Sequence, residues 1–314
     1  MSVHLTVVRR QKPGKSSAPA SSGPFPLGIE LSGSEESLNV DDILRAVHQK
    51  LPKYYPERQR LSRDNKALQP GQTLASQGVQ NGDTLEFKDL GPQIGWRTVF
   101  LIEYFGPLLI HPLMYYFAPL IYNSPHLTHG RVQHTALAMI LFHFLKRELE
   151  TLFVHRFSHG TMPLINIFKN CAHYHILSGL LLAYFTYGPS LAANSHLEAS
   201  LSPTAYWTCV IAFVMAEFAN LQTHITLKNL RPPGTRVRRI PYGFGFNLVS
   251  CPNYLFETLA WIAYSSMVRT WPAWFFTGVA FGQMYLWAMK KHQAYRKEFS
   301  DYPRNRKPMI PLIG

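Results

Sequence analysis

Several charged residues lie inside apolar segments of the sequence, where burial would make them chemically useful. They are Lys146, Arg147, Glu148 and Glu150 in the segment HFLKRELETLFVHRF, with Glu103, Glu217 and Glu257 in three other apolar segments. A charge near the centre of a bilayer costs about 2.5–3.5 kcal/mol on insertion scales, so such residues usually face a bundle interior or a wet cavity. They are therefore candidates for binding or catalysis. Lys146 and Glu150 are one helical turn apart and can form an ion pair.

A second interpretation of the same charges stays open. The membrane span can end near Leu145, and the charged residues then merely mark a helix that emerges into the interface. Under this interpretation Lys146 and Arg147 are solvated and carry no function.

Histidines in the apolar part raise the possibility of a di-iron desaturase or hydroxylase. Such a centre needs tight histidine clusters, because each iron requires several converging imidazoles. Only the pairs His155/His159 and His173/His175 come near that spacing. We therefore expect no metal.

The sequence also lacks the usual glycine-rich turn for a dinucleotide. Gly243-Phe244-Gly245 has neither a third glycine nor a βαβ setting, which argues against a Rossmann domain. Any dinucleotide must then bind within a helical bundle, with arginines on its phosphates.

Charge and hydropathy change near residue 90, and this divides the chain. Residues 1–90 hold 12 lysines and arginines against 10 acids, whereas residues 91–314 hold 19 against 8 and are rich in apolar residues. Most of the basic residues follow or separate apolar segments, which favours an anionic membrane face and an anionic ligand over nucleic acid. The cysteines Cys171, Cys209 and Cys251 stand singly, so we expect reduced thiols.

Residues 1–90 predict a small α+β domain. HLTVVRR, PLGIEL and DTLEFKDL have strand character, GKSSAPASSG predicts a turn, and LNVDDILRAVHQKL has helical spacing. This order favours a ubiquitin-like β-grasp, with another small α+β topology as the alternative.

Residues 91–314 predict an all-α membrane domain of about six transmembrane helices. The predicted spans are 97–122, 133–155, 162–187, 204–227, 246–268 and 270–289. The basic loop KNLRPPGTRVRRI and the basic tail predict that these parts face the cytoplasm. Residues 1–90 lack a signal sequence, so we expect both termini to be cytoplasmic.

Five ordered segments of the chain resemble one family. They are KDLGPQIGWRTVFLIEYFGPLLIH, KRELETLFVHRFSHGTMPLINIFKN, LRPPGTRVRRIP, SCPNYLFE and KEFSDYPRNRKPMIPLI, and they are similar to the very-long-chain trans-2-enoyl-CoA reductases of the endoplasmic reticulum. That family joins a ubiquitin-like head to a steroid 5-alpha-reductase-type membrane domain. The resemblance implies an endoplasmic reticulum membrane enzyme that uses NADPH to saturate the C2–C3 double bond of a very-long-chain trans-2-enoyl-CoA. It also implies contact with other fatty-acid elongation enzymes.

The resemblance implies catalytic roles for three residues. Tyr254, in the motif Asn253-Tyr254-x-x-Glu257, corresponds to the family tyrosine that is thought to donate a proton. Hydride addition at C3 sends negative charge to the thioester oxygen, where a cation is needed. Lys146 or Arg147 is expected to supply that positive field.

Binding residues are carried over by position. The cofactor set is Asn220, Lys228, Arg231, Arg239, Asn253, Glu257, His292 and Tyr295, and the substrate set is Glu103 and Glu150. Two departures from the steroid reductases stand out. Their His-Tyr-Phe-His-Arg is His143-Phe144-Leu145-Lys146-Arg147 here, which weakens the steroid interpretation, and their run of histidines in the tail is Lys291-His292.

Two alternative functions remain open from the sequence. One is a steroid or polyprenol double-bond reductase with the same fold. The other is a non-catalytic membrane scaffold whose head recruits partners and whose buried charges only pair with one another.

Overall fold

The chain divides into two compact units. A computed structural model describes residues 2–10, 23–157, 160–232 and 238–311. One unit comprises Met1–Gly95 with His159–Asn166, and the other comprises Trp96–Ser158 with Ile167–Gly314. The first is built around β-strands and the second around long helices. Most of the turn predicted in GKSSAPASSG lies outside the described residues.

A five-stranded sheet forms the centre of the first unit. Its strands are β1 (Ser2–Arg9), β2 (Leu27–Ser32), β3 (Gln59–Arg63), β4 (Lys66–Ala67) and β5 (Thr84–Asp89), in the order β2-β1-β5-β3-β4. β1 is antiparallel to β2 and parallel to β5, with Val7 opposite Leu85. β3 is antiparallel to β5 and to β4. The strands predicted in HLTVVRR, PLGIEL and DTLEFKDL are confirmed.

Helix α1 (Val40–Lys50) supplies the other half of this core. The Asp42 carboxylate accepts a 2.8 Å hydrogen bond from the Asn39 backbone N–H, which satisfies one of the free donors at the helix start. The helical spacing then buries Ile43 and Val47 among the apolar side chains of the sheet. The predicted amphipathic helix is confirmed.

A second, two-stranded sheet belongs to the same unit. β6 (Gln93–Gly95) pairs antiparallel with β7 (Thr161–Pro163), with Ile94 opposite Met162. The predicted span 162–187 therefore begins too early, since a helix starts only at Asn166. A short apolar run fits a strand as well as a helix, so periodicity alone did not separate them.

The second unit is helical. Its helices are α2 (Trp96–Tyr116), α3 (Ala118–Ile121), α4 (Arg131–Phe153), α5 (Asn166–Cys171), α6 (Leu182–Thr186), α7 (His196–Ala199), α8 (Pro203–Leu230), α9 (Pro252–Val268) and α10 (Trp271–Glu298), with a π-helix at Ala172–Leu181 between α5 and α6. Each predicted span overlaps helical structure. By length and composition, α2 and α8 are apolar enough to cross a membrane. The other long helices fall short of that criterion, and α4 carries five charged residues.

Helix α4 decides between the two interpretations of its charges. It continues past Leu145 to Phe153, and both Lys146 and Glu150 are buried. Their burial argues against charges that merely mark a helix emerging into the interface. Leu145 and Leu149 on the same helix are exposed, so α4 directs apolar residues outward and charged residues inward.

Candidate active site

One face of α4 gathers ionisable side chains. His143, Lys146, Arg147 and Glu150 follow one another at spacings of three, one and three residues, which puts them on one side of a helix. The face packs towards α2, α8 and α9. The sequence therefore fixes this cluster locally, and the packing supplies its partners.

Lys146 is held by three partners. Its Nζ lies 2.8 Å from Glu217 Oε2, 2.7 Å from Asn220 Oδ1 and 3.6 Å from Glu150 Oε1. The predicted pairing with Glu150 is confirmed, but the nearer partners come from α8. Glu217 and Asn220 are three residues apart and so present one face of α8 to the lysine.

A chain of hydrogen bonds extends this contact to α9. His143 Nδ1 lies 2.6 Å from Glu217 Oε1, and its Nε2 lies 3.4 Å from Glu257 Oε1. The Asn220 amide donates to the Asn253 carbonyl at 2.9 Å and to Glu257 Oε2 at 3.2 Å. Three helices therefore hold Lys146 in a fixed polar setting.

Arg147 heads a second group on the same face of α4. It donates to Glu150 Oε2 and to the Tyr104 hydroxyl, both at 2.9 Å, and its guanidinium carbon lies 5.1 Å from the Tyr104 ring centroid. His224 Nδ1 is 3.1 Å from the same Glu150 oxygen. Because Glu150 is committed to these partners, it orients Arg147.

Glu150, His155 and His224 also have the composition of a metal site. Their ligand atoms lie within 4.8 Å of one another. However, the Arg147 guanidinium already donates to the Glu150 oxygen that such an ion would share. A bound cation would meet this positive charge, so the geometry favours an ion-pair network over a metal centre. His159, of the predicted pair His155/His159, lies outside the described residues.

Glu103 is buried on α2, next to Tyr104 in the sequence. Within the part of the chain that the structure describes, its Oε1 has no hydrogen-bond partner. A buried carboxylate oxygen without a partner is costly. The substrate role of Glu103 stays a prediction.

Tyr254 has its ring against helix α10. It sits in the first turn of α9, half-buried, with its ring centroid 6.2 Å from that of Trp287. The cation over its ring is Lys291, whose Nζ is 4.7 Å from the centroid. The expected field from Lys146 or Arg147 is replaced in this contact by a lysine of α10.

His292 and Tyr295 belong to a third group near the end of α10. His292 Nδ1 lies 2.6 Å from Ser250 Oγ, which is also 2.6 Å from the Tyr302 hydroxyl. Tyr295 stacks on Tyr302 with centroids 5.4 Å apart, and the Arg238 guanidinium lies 5.5 Å from the Tyr295 ring centroid. The predicted cofactor residues of the tail are thus brought together with one another.

The basic residues predicted for the cofactor phosphates lie at the end of α8 and in the segment that follows it. Lys228 is in its last turn, and Arg231 donates to the Arg156 carbonyl at 3.2 Å. Arg239 lines a surface depression together with Arg238, Ile240, Tyr242, Phe299 and Asp301. Residues 233–237 of this predicted loop lie outside the described residues.

Several members of these groups were not among the predicted site residues. They are Tyr104, His143, Glu217, His224, Ser250, Lys291 and Tyr302. A signal existed for Glu217 and His224, which precede and follow Asn220 by three and four residues and so share its helix face. Nothing local marked Tyr104 or Ser250.

The second half of the chain matches a known family. Residues 160–313 match the family described as 3-oxo-5-alpha-steroid 4-dehydrogenase. The match includes α8, α9 and α10, and therefore Asn220, Tyr254 and His292.

Full-length relatives extend the similarity to both units. A Schizosaccharomyces pombe protein assigned as an enoyl reductase is 47% identical, with 92% of this chain and 95% of the relative aligned. The very-long-chain enoyl-CoA reductase of Dictyostelium discoideum is 41% identical over 89% of this chain and 88% of its own. A Caenorhabditis elegans protein assigned to the same activity is 40% identical over 91% and 94%. The resemblance seen in the motifs is confirmed, and the chain belongs to the very-long-chain enoyl-CoA reductase family of oxidoreductases.

Proposed function

We propose that this protein reduces the C2–C3 double bond of very-long-chain trans-2-enoyl-CoA with NADPH, the last step of each fatty-acid elongation cycle. The observation that carries the chemistry is the pair of adjacent cations, Lys146 and Arg147, held inside the helical unit. The substrate class is taken from the relatives, which are named for it.

In this proposal the two cations stabilise negative charge on the thioester oxygen. NADPH, when bound, supplies a hydride to C3 of the enoyl group. Negative charge then grows on the thioester oxygen, and a fixed cation stabilises it without reorganising. Lys146 suits this role because Glu217 and Asn220 hold its Nζ, and Arg147 because Glu150 and Tyr104 hold its guanidinium.

Tyr254 is the proposed proton donor. Its O–H bond breaks as a C–H bond forms at C2, and the electron pair stays on the phenol oxygen until water returns a proton. Its half-buried position in the first turn of α9 leaves the side chain within reach of a ligand.

The residues present fit a dinucleotide phosphate in part. The depression that Arg239 lines offers its guanidinium group beside aromatic rings, which suits a phosphate and an adenine face, whereas Arg238 is paired with Glu298 and Asp301 adds a negative charge. We assign Lys228 and Arg231 to the phosphates, and Asn220, Asn253, Glu257, His292 and Tyr295 to the remainder of NADPH. Glu103 and Glu150 are assigned to the substrate side.

We propose that the protein is an enzyme of the endoplasmic reticulum membrane with six membrane spans. We assign residues 1–90 to a cytoplasmic ubiquitin-like β-grasp domain and residues 91–314 to the catalytic membrane domain, with the C-terminus also cytoplasmic. The parallel pairing of β1 with β5, with α1 after β2, supports the β-grasp assignment. Other elongation enzymes are proposed partners.

The proposal is tested with the full chain purified in detergent. Incubation with trans-2-hexadecenoyl-CoA and NADPH should yield the saturated acyl-CoA, identified by mass spectrometry. Lys146→Met should abolish most of this product, whereas Glu148→Gln on the same helix should retain it. Glu148 is a matched control because it lines an apolar depression with Phe105 instead of joining the polar network.

A competition assay, in which an enoyl-CoA and a steroid enone compete for NADPH oxidation, separates the proposal from the steroid alternative. The family match to a steroid dehydrogenase description favours a steroid enone as the rival substrate. Reduction of a steroid enone in place of the enoyl-CoA would overturn the proposal. Binding of neither NADPH nor substrate would favour a non-catalytic scaffold.

A further inference from the structure

One face of α10 lies along the Tyr254 ring. Trp287 approaches it with a centroid separation of 6.2 Å, and Lys291 Nζ lies 4.7 Å from the ring centroid. Because residues 287 and 291 are one helical turn apart, both contacts come from the same side of α10. The tyrosine is therefore held between the start of α9 and this face.

The two cations that the sequence led us to expect at Tyr254 have other partners. Lys146 contacts Glu217 and Asn220, and Arg147 contacts Glu150. Lys291, by contrast, forms no ion pair with a carboxylate anywhere in residues 2–10, 23–157, 160–232 and 238–311. Its charge is directed at the tyrosine ring.

A cation in this position distinguishes the phenol from the phenolate. A neutral ring attracts an ammonium group through its quadrupole, a contribution of about 0.5–1 kcal/mol at exposed sites. When the proton leaves, negative charge spreads over the oxygen and the ring, and the attraction becomes one between full charges. The cation therefore stabilises the state after proton donation more than the state before it, which is what accelerates a reaction.

The tail sequence gives this contact a further meaning. Lys291 is followed in the sequence by His292. His292 is already engaged with Ser250 through Nδ1. Lys291 is thus the tail residue that brings a permanent positive charge to Tyr254.

We propose that Lys291 is a positioning residue that acts through Tyr254. It orients the ring and stabilises the phenolate left when the Tyr254 hydroxyl proton is transferred to C2 of the substrate. The step balances, since the O–H bond breaks, a C–H bond forms at C2, and the electron pair remains on the tyrosine oxygen until water returns a proton. This inference rests on the proposed enoyl-CoA reduction.

The test compares Lys291→Met, Lys291→Arg and the control Lys290→Met in the full chain. Lys290 is the adjacent lysine of α10 and is exposed, as Lys291 is. Lys291→Met should lower kcat about tenfold, the factor that roughly 1.4 kcal/mol of lost stabilisation gives, with unchanged KM for NADPH and for trans-2-hexadecenoyl-CoA. Its solvent deuterium isotope effect on kcat should rise, because proton donation becomes slower. Lys291→Arg should recover most of the rate, and Lys290→Met should match the wild type.

A double variant decides whether Lys291 works through the tyrosine. In a Tyr254→Phe background, Lys291→Met should cause no further loss of the residual rate. An additional tenfold loss there would overturn the proposal, as would a raised KM with unchanged kcat, which would indicate a phosphate-binding lysine. A wild-type rate in Lys291→Met, alongside an active wild type and an inactive Tyr254→Phe, would overturn this inference alone. An inactive wild type would overturn the proposed function as well.

Discussion

The sheet unit and the helical unit both bury apolar side chains, but only the helical unit also buries a charged network and exposes many large apolar residues. In the sheet unit the apolar side chains of Val7 and Leu85 are fully buried, as in a water-soluble domain. In the helical unit Phe105 is 59% exposed, whereas the Lys146 and Glu217 side chains are 9% and 1% exposed. The outward apolar faces suit a lipid environment, and the interior of this unit buries these charged groups beside apolar side chains such as Phe144 and Trp261.

This difference indicates that the helical unit carries the function. Burying a charge pair seldom adds stability, because desolvation offsets much of the attraction between the charges. A network such as Lys146 with Glu217 and Asn220 is therefore better explained by chemistry than by folding. In the sheet unit, by contrast, the charged pairs lie at or near the surface. Its interior is formed by apolar side chains.

The largest effect is expected at Tyr254, the proposed proton donor in the helical unit. Tyr254→Phe removes one hydroxyl, so enoyl-CoA turnover should fall by about 10²- to 10⁴-fold while the thermal unfolding midpoint stays unchanged. Tyr285→Phe, on α10 and stacked on Phe281, is the matched control. Steady-state turnover and unfolding in the same detergent check both parts, and an active Tyr254→Phe would remove the proton-donor assignment.

Next in size is the removal of one partner from the buried ion pair. Glu217→Leu leaves the Lys146 ammonium without its 2.8 Å contact, which should destabilise the protein by about 3–5 kcal/mol. Unfolding in detergent, followed by tryptophan fluorescence, measures the loss. Adding Lys146→Met should restore stability without restoring turnover. A double variant that reduces enoyl-CoA would mean that the charges are structural.

The sheet unit provides the apolar counterpart. Leu85 is fully buried on β5 opposite Val7, so Leu85→Ala should destabilise this unit by about 2–4 kcal/mol through the cavity it leaves. Hydrogen–deuterium exchange of the β1 and β5 amides in the full chain reports the change. Lys88→Ala, at an exposed position of the same strand, should leave protection unchanged. Equal protection in both variants would contradict this description of the core.

The smallest effect is expected for a charged pair of the sheet unit. Arg58 donates to both Asp89 oxygens at 2.6 and 2.7 Å and holds the pKa of Asp89 below its ordinary value of 3.8, against the opposing effect of burial. A lowered pKa in the fold means that the stabilisation is complete above the ordinary value. It is lost as the pH falls through the lower, folded value.

Partly exposed pairs of this kind contribute about 0.2–1 kcal/mol. Acidification from about pH 5 to about pH 3 spans the ordinary carboxyl range. It should therefore reduce amide protection in β5 slightly, after correction for intrinsic exchange. Asp89→Asn should show less of this dependence on pH, and an identical profile would exclude the pair as its source.

Capping, helical spacing and strand alternation predicted most helices and strands, and they predicted one of the two residues in many contacts. The capping and spacing of α1 and the alternation in β1 and β5 were sufficient for the sheet unit. The same rules did not separate strand from helix in β7, because three residues give no usable period. They also did not anticipate the π-helix at Ala172–Leu181, which no sequence signal marked.

The sequence by itself determined that His143, Lys146, Arg147 and Glu150 share one face of a helix, because helical geometry makes that spacing local. It also determined the family, through ordered motifs. Only the tertiary structure decided that Lys146 meets Glu217, 71 residues away, and that the cation at Tyr254 is Lys291. Which helix faces which depends on how the side chains of the whole bundle pack, and no spacing within one helix contains that information.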